Sequence, residues 1–229
     1  LPSEATRRGL AAPDPARLAA ATDWLGEDDA HRLVTWDDPA YPPLLREIPD
    51  PPIALFVAGK AGCLASLQLA IVGSRNPTPG GRENARDFAR HLAGCGLTVT
   101  SGLARGVDGA AHRGALAAGG ATIAVCGTGL DRIYPPAHAE LAGEIRASGA
   151  LVSEFWPGTP PRREHFPRRN RLISGLSLGV LVVEAGVRSG SLITARLAGE
   201  APASAAAEAA TPEEQGAESE KGAEAPKGE

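Results

Sequence analysis

Residues 67–102, LQLAIVGSRNPTPGGRENARDFARHLAGCGLTVTSG, decide the fold. They begin with an apolar run, Leu67–Val72, continue through a glycine turn into a segment of helical spacing, Arg82–Ala93, and end in a second apolar run, Leu97–Thr100. Strands that are buried on both faces and alternate with amphipathic helices are typical of a parallel sheet covered on each side. The stretch therefore predicts one repeating unit of an open, doubly wound, mainly parallel α/β sheet.

The same alternation extends toward residue 197. Further strands are predicted at Thr122–Cys126, Ala150–Ser153 and Val180–Val183. Helical spacing predicts helices at Val107–Ala118, Ala137–Ala147, Arg169–Leu176 and Leu192–Leu197. Upstream, Trp36–Val57 contains six prolines, which fix φ and lack an amide donor, so we expect an extended segment that ends in an edge strand, Ile53–Ala58.

Composition divides the chain into three parts. We predict an N-terminal accessory helical segment over residues 1–35, an α/β domain over residues 36–199 and a low-complexity acidic tail over residues 200–229. Residues 201–229 contain seven glutamates and two lysines, so they carry a charge of −5, whereas residues 1–200 carry +1 and the whole chain carries −4. The tail has too few apolar side chains to offset its ordering entropy, and we expect it to be disordered.

Composition also excludes several classes of protein. The 229 residues, 43% of them hydrophobic, are enough to bury a core. Three cysteines without a CxxC pair indicate neither a disulfide framework nor a zinc ribbon, and favour reduced core thiols in a cytoplasmic protein. We find neither an apolar run of membrane-spanning length nor a signal segment, so we expect no membrane insertion and no secretion.

Two glycine-containing loops follow the first two predicted strands of the parallel sheet. They are GSRNPT, residues 73–78, and SGLARGVD, residues 101–108. In this architecture ligands bind at the carboxyl ends of the strands, where small residues and free amides accommodate phosphates. Neither loop is a GxGxxG fingerprint or a P-loop, and the segment between Ala61 and Glu220 contains no lysine. The alternative for each loop alone is an ordinary strand-to-helix turn.

A basic segment with an aromatic residue inside it precedes the predicted helix at Arg169. In PRREHFPRRNRLIS, residues 161–174, five arginines surround Phe166. Guanidinium groups bind phosphates and an aromatic face stacks on bases, so the segment indicates a single-stranded nucleic acid on a folded surface. The alternative is a solvated charged loop.

Other candidates for chemistry are few. Asp108 and His112 lie four residues apart on a predicted helix, but a helix cap and a surface histidine explain them better than a metal site without a third ligand. Glu184 closes a strand, where it would serve either as a catalytic carboxylate or as an acceptor for loop amides. Ser191 fits an anion-binding helix start or a simple N-cap.

Taken together, the motifs resemble a known family. The segments AIVGSRNPTPGG, TSGLARGVDGAAHRGAL, AVCGTGLDRIYP, LVSEFWPGTPPRREHFPRRNRLISGLSLGVLVVEA and RSGSLITARLA are similar to the DNA processing protein A family, also called DprA or Smf, over roughly Trp36–Gly199. The resemblance implies an extended Rossmann-like domain that binds single-stranded DNA. It also implies a role in natural transformation, where the protein protects incoming DNA and helps to load the RecA recombinase. It implies no enzymatic activity, and we expect no cofactor and no metal.

Motif positions carry the family's DNA contacts onto this chain. They imply phosphate contacts by Gly73, Ser74, Arg75, Ser101 and Gly102. Arg163 takes the position of a DNA-contacting lysine or arginine, and Phe166 takes the base-stacking position. Arg168, Asn170 and Arg171 belong to the same motif, with Asn170 either touching DNA or holding the loop.

The chain departs from the family pattern after Ala198. The family continues with a longer helix, a strand with a VPG-like turn, an HNP-containing segment that contributes to dimerisation and RecA contact, and often a winged-helix domain. Here the acidic tail stands in their place. The resemblance thus implies a homodimer, whereas the departure removes a segment that supports it and could leave an exposed sheet edge.

Two other functions stay open at this stage. The first is a Rossmann-like nucleotide hydrolase that resembles the cytokinin-activating phosphoribohydrolases, with Glu184 as the catalytic carboxylate. Those enzymes use a PGGxGT loop, and this chain offers only RSGSLIT. The second is a degenerate scaffold that keeps the fold without binding DNA.

Overall fold

The computed structural model describes residues 14–186 and 190–199. Within them the strands are β1 His31–Thr35, β2 Ala54–Gly59, β3 Gln68–Gly73, β4 Thr98–Ser101, β5 Thr122–Val125, β6 Ala150–Ser153 and β7 Val180–Val183. The helices are α1 Pro15–Gly26, α2 Pro43–Arg46, α3 Pro79–Gly94, α4 Val107–Ala117, α5 Ala139–Ser148, α6 His165–Gly175 and α7 Gly190–Gly199. Two 3₁₀ turns lie at Ala61–Ala65 and Pro136–His138.

The described strands form one sheet in the order β1-β2-β6-β5-β4-β3-β7. The five strands from β6 to β7 are parallel, and β2 and β1 extend them in antiparallel register. Ala70 at the centre of β3 lies between Thr100 of β4 and Val180 of β7. The predicted doubly wound, mainly parallel fold is confirmed.

Successive side chains of the central strands point to opposite layers. Ile71 packs on the alanine faces of α3 and α4, whereas Val72 packs on the other side with Leu172 and Ile173 of α6. A third cluster, around Trp24 and Ile145, fixes α1 and α5. Because α6 lies over the carboxyl half of the sheet, its basic N-terminal turns reach the edge where the strands end.

The sheet differs from prediction at its antiparallel end. The expected edge strand over Ile53–Ala58 is β2, which lies inside the sheet because β1 pairs with its free side. The predicted accessory segment, residues 1–35, therefore contains a strand of the main sheet as well as α1. Only Val34 of β1 is buried, so the strand shows no apolar run.

Three helices begin earlier than predicted, one of them α7, which begins at Gly190 rather than Leu192. Thr78 caps α3 by accepting a hydrogen bond from the Gly81 amide at 3.1 Å, and Pro79 occupies the first helical position, where no amide donor is needed. Helix α6 begins at His165 rather than Arg169, because Pro167 falls within its first turn.

The remaining expectations concern the cysteines, membrane segments and the tail. Cys126 is buried and Cys63 partly so, but Cys95 is exposed and is not a core thiol. Among the described helices, none has the length and apolar content needed to cross a membrane. The acidic tail, residues 200–229, lies outside the described residues.

Candidate nucleic-acid interface

A cleft of about 630 Å³ opens at the carboxyl edge of the parallel strands, beside β3 and α6. The chain leaves β3 toward β4 on one side, whereas β7 pairs with β3 on the other side. Such a reversal of strand order leaves a crevice between the loops, which is the usual ligand position in doubly wound sheets. We call this opening the first cleft.

The turn after β3 forms one wall of the first cleft. Gly73 leaves no space for a side chain, because an added Cβ would overlap the Val183 carbonyl oxygen. The Ser74 amide donates to the Glu184 carbonyl at 2.9 Å, and the Ser74 hydroxyl accepts a hydrogen bond from the Asn76 amide at 3.1 Å. These bonds fix the backbone, so that the exposed Arg75 side chain extends over the cleft.

The loop after β4 supports the same turn from behind. The Val107 amide donates to the Ser74 carbonyl at 3.0 Å. Gly106 has a φ of +79°, and a side chain there would overlap the carbonyl oxygens of Ser74 and Arg75. The loop after β4 therefore supports the turn after β3, and both are needed to place the Arg75 side chain.

Phe166 and Tyr134 form the aromatic wall. Phe166 lies in the first turn of α6, half-buried, with its ring centroid 5.5 Å from that of Tyr134 at an interplanar angle of 42°. The Arg75 guanidinium lies 5.7 Å from the Phe166 centroid, within range of a cation–π interaction. A Cβ on Gly127 would come within 3.1 Å of the Phe166 ring, so the small residue leaves room for it.

Arg163 and Asn170 complete the predicted residues of the cleft. The Arg163 side chain is exposed and lines the opening. Asn170 accepts from Arg169 Nε at 3.1 Å and donates to the Gly190 carbonyl at 3.3 Å, so it ties α6 to the start of α7. Of the two roles considered for Asn170, the structure supports the one of holding the loop.

Arg169 is the structural arginine of the motif. Its side chain is 6% exposed, donates to the carbonyls of Gly102 and Val125, and lies 4.0 Å from the buried Asp108 carboxylate. Burial raises the pKa of Asp108 and lowers that of Arg169, and the opposite charge of each partner offsets part of the other's shift. The pair fastens α6 to the ends of β4 and β5.

Two predicted phosphate contacts, Ser101 and Gly102, make contacts within the protein. The Ser101 hydroxyl is buried and donates to the Ile71 carbonyl at 2.6 Å. Gly102 is covered by the Arg169 guanidinium, which occupies the space where a side chain would lie. Neither residue lines the first cleft.

Arg168 and Arg171 lie on another side of α6. Both contact the Glu154 carboxylate, at 3.2 Å and 2.5 Å, and Arg171 also lies 3.3 Å from Asp50. The Arg171 side chain is 13% exposed, whereas that of Arg168 is 60% exposed. These two predicted DNA contacts therefore do not converge with Arg75, Arg163 and Phe166.

The Glu184 carboxylate, considered above as either a catalytic group or an acceptor for loop amides, accepts hydrogen bonds from Thr78. The Thr78 amide donates to both of its carboxylate oxygens, at 2.8 and 3.0 Å, and the Thr78 hydroxyl donates at 2.8 Å. The carboxylate thus holds the N-terminus of α3 and is not among the residues that line the first cleft. This arrangement gives no support to the phosphoribohydrolase reading.

The other minor candidates make contacts within the protein, and of them Ser191 also lines the first cleft. His112 is buried rather than on the surface, and its Nδ1 lies 2.8 Å from the Thr122 hydroxyl, so it does not face a ligand with Asp108. Burial lowers the pKa of His112 to about 3, with the charges of His138 and Arg169 adding to the effect. The Ser191 hydroxyl donates to the Gly73 carbonyl at 2.9 Å. No group of metal-ligating side chains occurs in the part of the chain that the structure describes.

Two residues that line the first cleft, Tyr134 and Arg169, were not singled out by the sequence analysis. Tyr134 is 46% exposed and lies in the loop that follows β5, where the sequence shows neither strand nor helical periodicity. The signal that could have found it is its place in the loop after the predicted strand Thr122–Cys126, since the loops after parallel strands meet at one edge of the sheet. Arg169 was counted with the other arginines, since neighbouring positions in a motif look equivalent until the helix start is known.

The fold and the first cleft define a Rossmann-like protein with an arginine and aromatic surface suited to phosphates and bases. The chain belongs to the DNA recombination-mediator protein A family, whose model matches residues 32–225. This match confirms the resemblance drawn from the motifs.

Individual relatives agree with the family. The chain is 54% identical to protein Smf of Escherichia coli K12 over 176 residues, 76% of this chain and 47% of that protein. It is 46% identical to DprA of Streptococcus pneumoniae R6 over 163 residues, 71% of this chain and 57% of that protein. The chain thus spans about half the length of these curated relatives.

Two solved structures share the fold. DNA processing protein A of Streptococcus pneumoniae superimposes with a TM-score of 0.71 at 41% identity, covering 82% of this chain and 69% of that chain. The protein from Helicobacter pylori gives a TM-score of 0.67 at 35% identity, covering 73% of this chain and 76% of that one, and its structure concerns a unique single-stranded DNA binding mode.

Proposed function

We propose that this chain binds single-stranded DNA in the first cleft. The observation that carries the proposal is the Arg75 guanidinium 5.7 Å from the Phe166 ring, which itself lies 5.5 Å from Tyr134. A cation and two rings in one opening suit a phosphate next to an unpaired base, because only unpaired bases expose their faces for stacking. A duplex would engage the arginines alone.

The role of each residue follows from its position. Arg75 and Arg163 are exposed and supply positive charge for the phosphates, with Gly73 and Ser74 shaping the turn beneath them. Phe166, backed by Tyr134, provides the stacking platform. The family membership and the single-stranded DNA described for the Helicobacter pylori relative support this assignment.

We extend the proposal to the wider role that the family resemblance implies. The chain would protect incoming DNA and help to load RecA recombinase during natural transformation and recombination, as a cytoplasmic homodimer. Following RecA assembly on single-stranded DNA with and without this chain tests the loading role. Sedimentation of the free protein tests the dimer, and a monomer that still accelerates RecA assembly would separate the two.

The binding proposal is tested by fluorescence anisotropy of a labelled oligo-dT and a matched blunt duplex at several salt concentrations. We expect the single strand to bind more tightly, with an affinity that falls as salt rises, by a log–log slope of about 0.7 for each neutralised phosphate. Equal affinity for the duplex would contradict the assignment.

Variants separate stacking from charge. Phe166→Ala should weaken binding by about 1–3 kcal/mol, the usual loss for one stacked base. Arg75→Ala and Arg163→Ala should each reduce the salt slope by about 0.7. Arg90→Ala is the matched control, because Arg90 is an exposed arginine in the last turns of α3, away from the carboxyl edge. A folded protein that binds no oligonucleotide would be a scaffold without DNA binding, and DNA binding that none of the three cleft variants weakens would contradict the assignment to the first cleft.

A further inference from the structure

A second opening, of about 780 Å³, lies on the other side of residues 161–165. We call it the second cleft. Its lining includes Arg17 of α1, the Phe155 and Trp156 rings that follow β6, and Arg162, His165 and Arg168. None of these residues lines the first cleft.

The second cleft repeats the chemistry of the first. The Arg17 guanidinium lies 5.5 Å from the Trp156 ring centroid, and the Arg168 guanidinium lies 5.9 Å from that of Phe155. His165 stacks on Phe155 with centroids 4.1 Å apart at an angle of 24°. Proteins bind single-stranded nucleic acids through such groups, because arginines contact the phosphate backbone and aromatic rings stack on the bases.

The charge balance of the two clefts is also the same. The described lining of the first contains Arg75, Arg163, Arg169 and one carboxylate, Asp108, which Arg169 neutralises at 4.0 Å. The described lining of the second contains Arg17, Arg162, Arg168 and one carboxylate, Glu154, which Arg168 contacts at 3.2 Å. In both openings the acid is paired within the protein, and two further arginines remain for an anion.

One short segment joins the two openings. Arg163 and Phe166 line the first cleft, while their neighbours Arg162 and His165 line the second. The segment is thus a ridge with one arginine and one aromatic ring on each flank, and both arginines are exposed. A chain of phosphates that crosses this ridge meets positive charge on either side.

We propose that the second cleft binds the continuation of the same DNA strand, so that one single strand passes from Phe166 over the ridge to His165 and Trp156. This inference rests on the proposed function of the first cleft. It assigns Arg17 and Arg162 to phosphates and Trp156 to base stacking. A strand long enough to cross the ridge then binds more tightly than one that fills the first cleft alone.

The test compares oligo-dT of increasing length against three proteins: the unchanged chain, Arg17→Ala/Arg162→Ala and Arg90→Ala. We expect the double variant to bind the shortest oligonucleotides normally. For longer ones its affinity should fall and its salt slope should decrease by about 1.4, which corresponds to two phosphates. Arg17 and Arg162 are exposed, so both replacements leave the core intact. Arg90→Ala should match the unchanged chain at every length.

Tryptophan emission gives a second readout. The chain has three tryptophans, and Trp24 is 3% exposed in the core, so in a Trp36→Phe background the response to DNA comes from Trp156. We expect quenching by long oligonucleotides and little change with short ones. Three results would overturn the second cleft while leaving the first intact. They are an affinity that does not depend on oligonucleotide length, a double variant with the affinity and salt slope of the unchanged chain, and a Trp156 emission that does not respond to DNA. Absence of binding at every length would overturn both.

Discussion

Arg169 offers the sharpest prediction, because it lies in a basic motif and yet does not face the solvent. Arg169→Ala removes a side chain that is 6% exposed and leaves the buried Asp108 carboxylate and the carbonyls of Gly102 and Val125 without this donor. Breaking a buried ion pair from one side costs about 3–5 kcal/mol. We therefore expect the free energy of unfolding to fall by about 4 kcal/mol, a large part of the stability of a domain.

Urea unfolding measures this loss. With a slope of about 2 kcal/mol per molar, the midpoint should move down by about 2 M. Asp108→Asn in the Arg169→Ala background should recover part of the loss, since the uncompensated charge is then gone. Arg163→Ala is the matched control, and it should weaken DNA binding without moving the midpoint. The reasoning fails if Arg169→Ala unfolds like the unchanged chain and loses only DNA affinity.

Three further predictions concern the residues around the cleft. Burial lowers the pKa of His112 to about 3 in the folded chain. As the pH falls, the unfolded chain therefore protonates this imidazole at a higher pH than the folded chain does. The contribution of His112 to the free energy of unfolding is therefore complete above pH ~6.5 and falls by about 1.4 kcal/mol per pH unit as the pH drops toward 3. The urea midpoint of His112→Gln should accordingly depend less on pH than that of the unchanged chain. Parallel pH curves for the two proteins would refute the lowered pKa. Glu184→Ala should destabilise the fold by about 1 kcal/mol through loss of the Thr78 contacts, measured by thermal unfolding; no change would mean that water replaces the carboxylate. Gly106→Ala should cost about 1–3 kcal/mol and displace Arg75, so that unfolding and DNA titrations both respond, whereas a neutral effect would show that the turn adapts.

The parallel strands were predictable because each is a short, largely apolar or β-branched run, and the helices because their apolar positions repeat at helical spacing. Strand β1 was not predictable, since Val34 alone among its side chains is buried. The motifs named Arg75 and Phe166 as candidate DNA contacts, whereas their proximity of 5.7 Å emerged only from the fold, because they lie on segments far apart in the sequence. The separation of Arg169 from Arg168 did not follow, because it depends on α6 beginning at His165 rather than four residues later.

The anchoring of α6 by Arg169 has a consequence for how a ligand is recognised. Bonds to Gly102 and Val125 and the ion pair with Asp108 hold the helix on the strand ends before any ligand arrives. Phe166, one turn earlier, is thereby preorganised at the mouth of the cleft. The ordering entropy of association then falls mainly on the flexible DNA rather than on the protein, so encounter with a strand requires no prior rearrangement of the surface it meets.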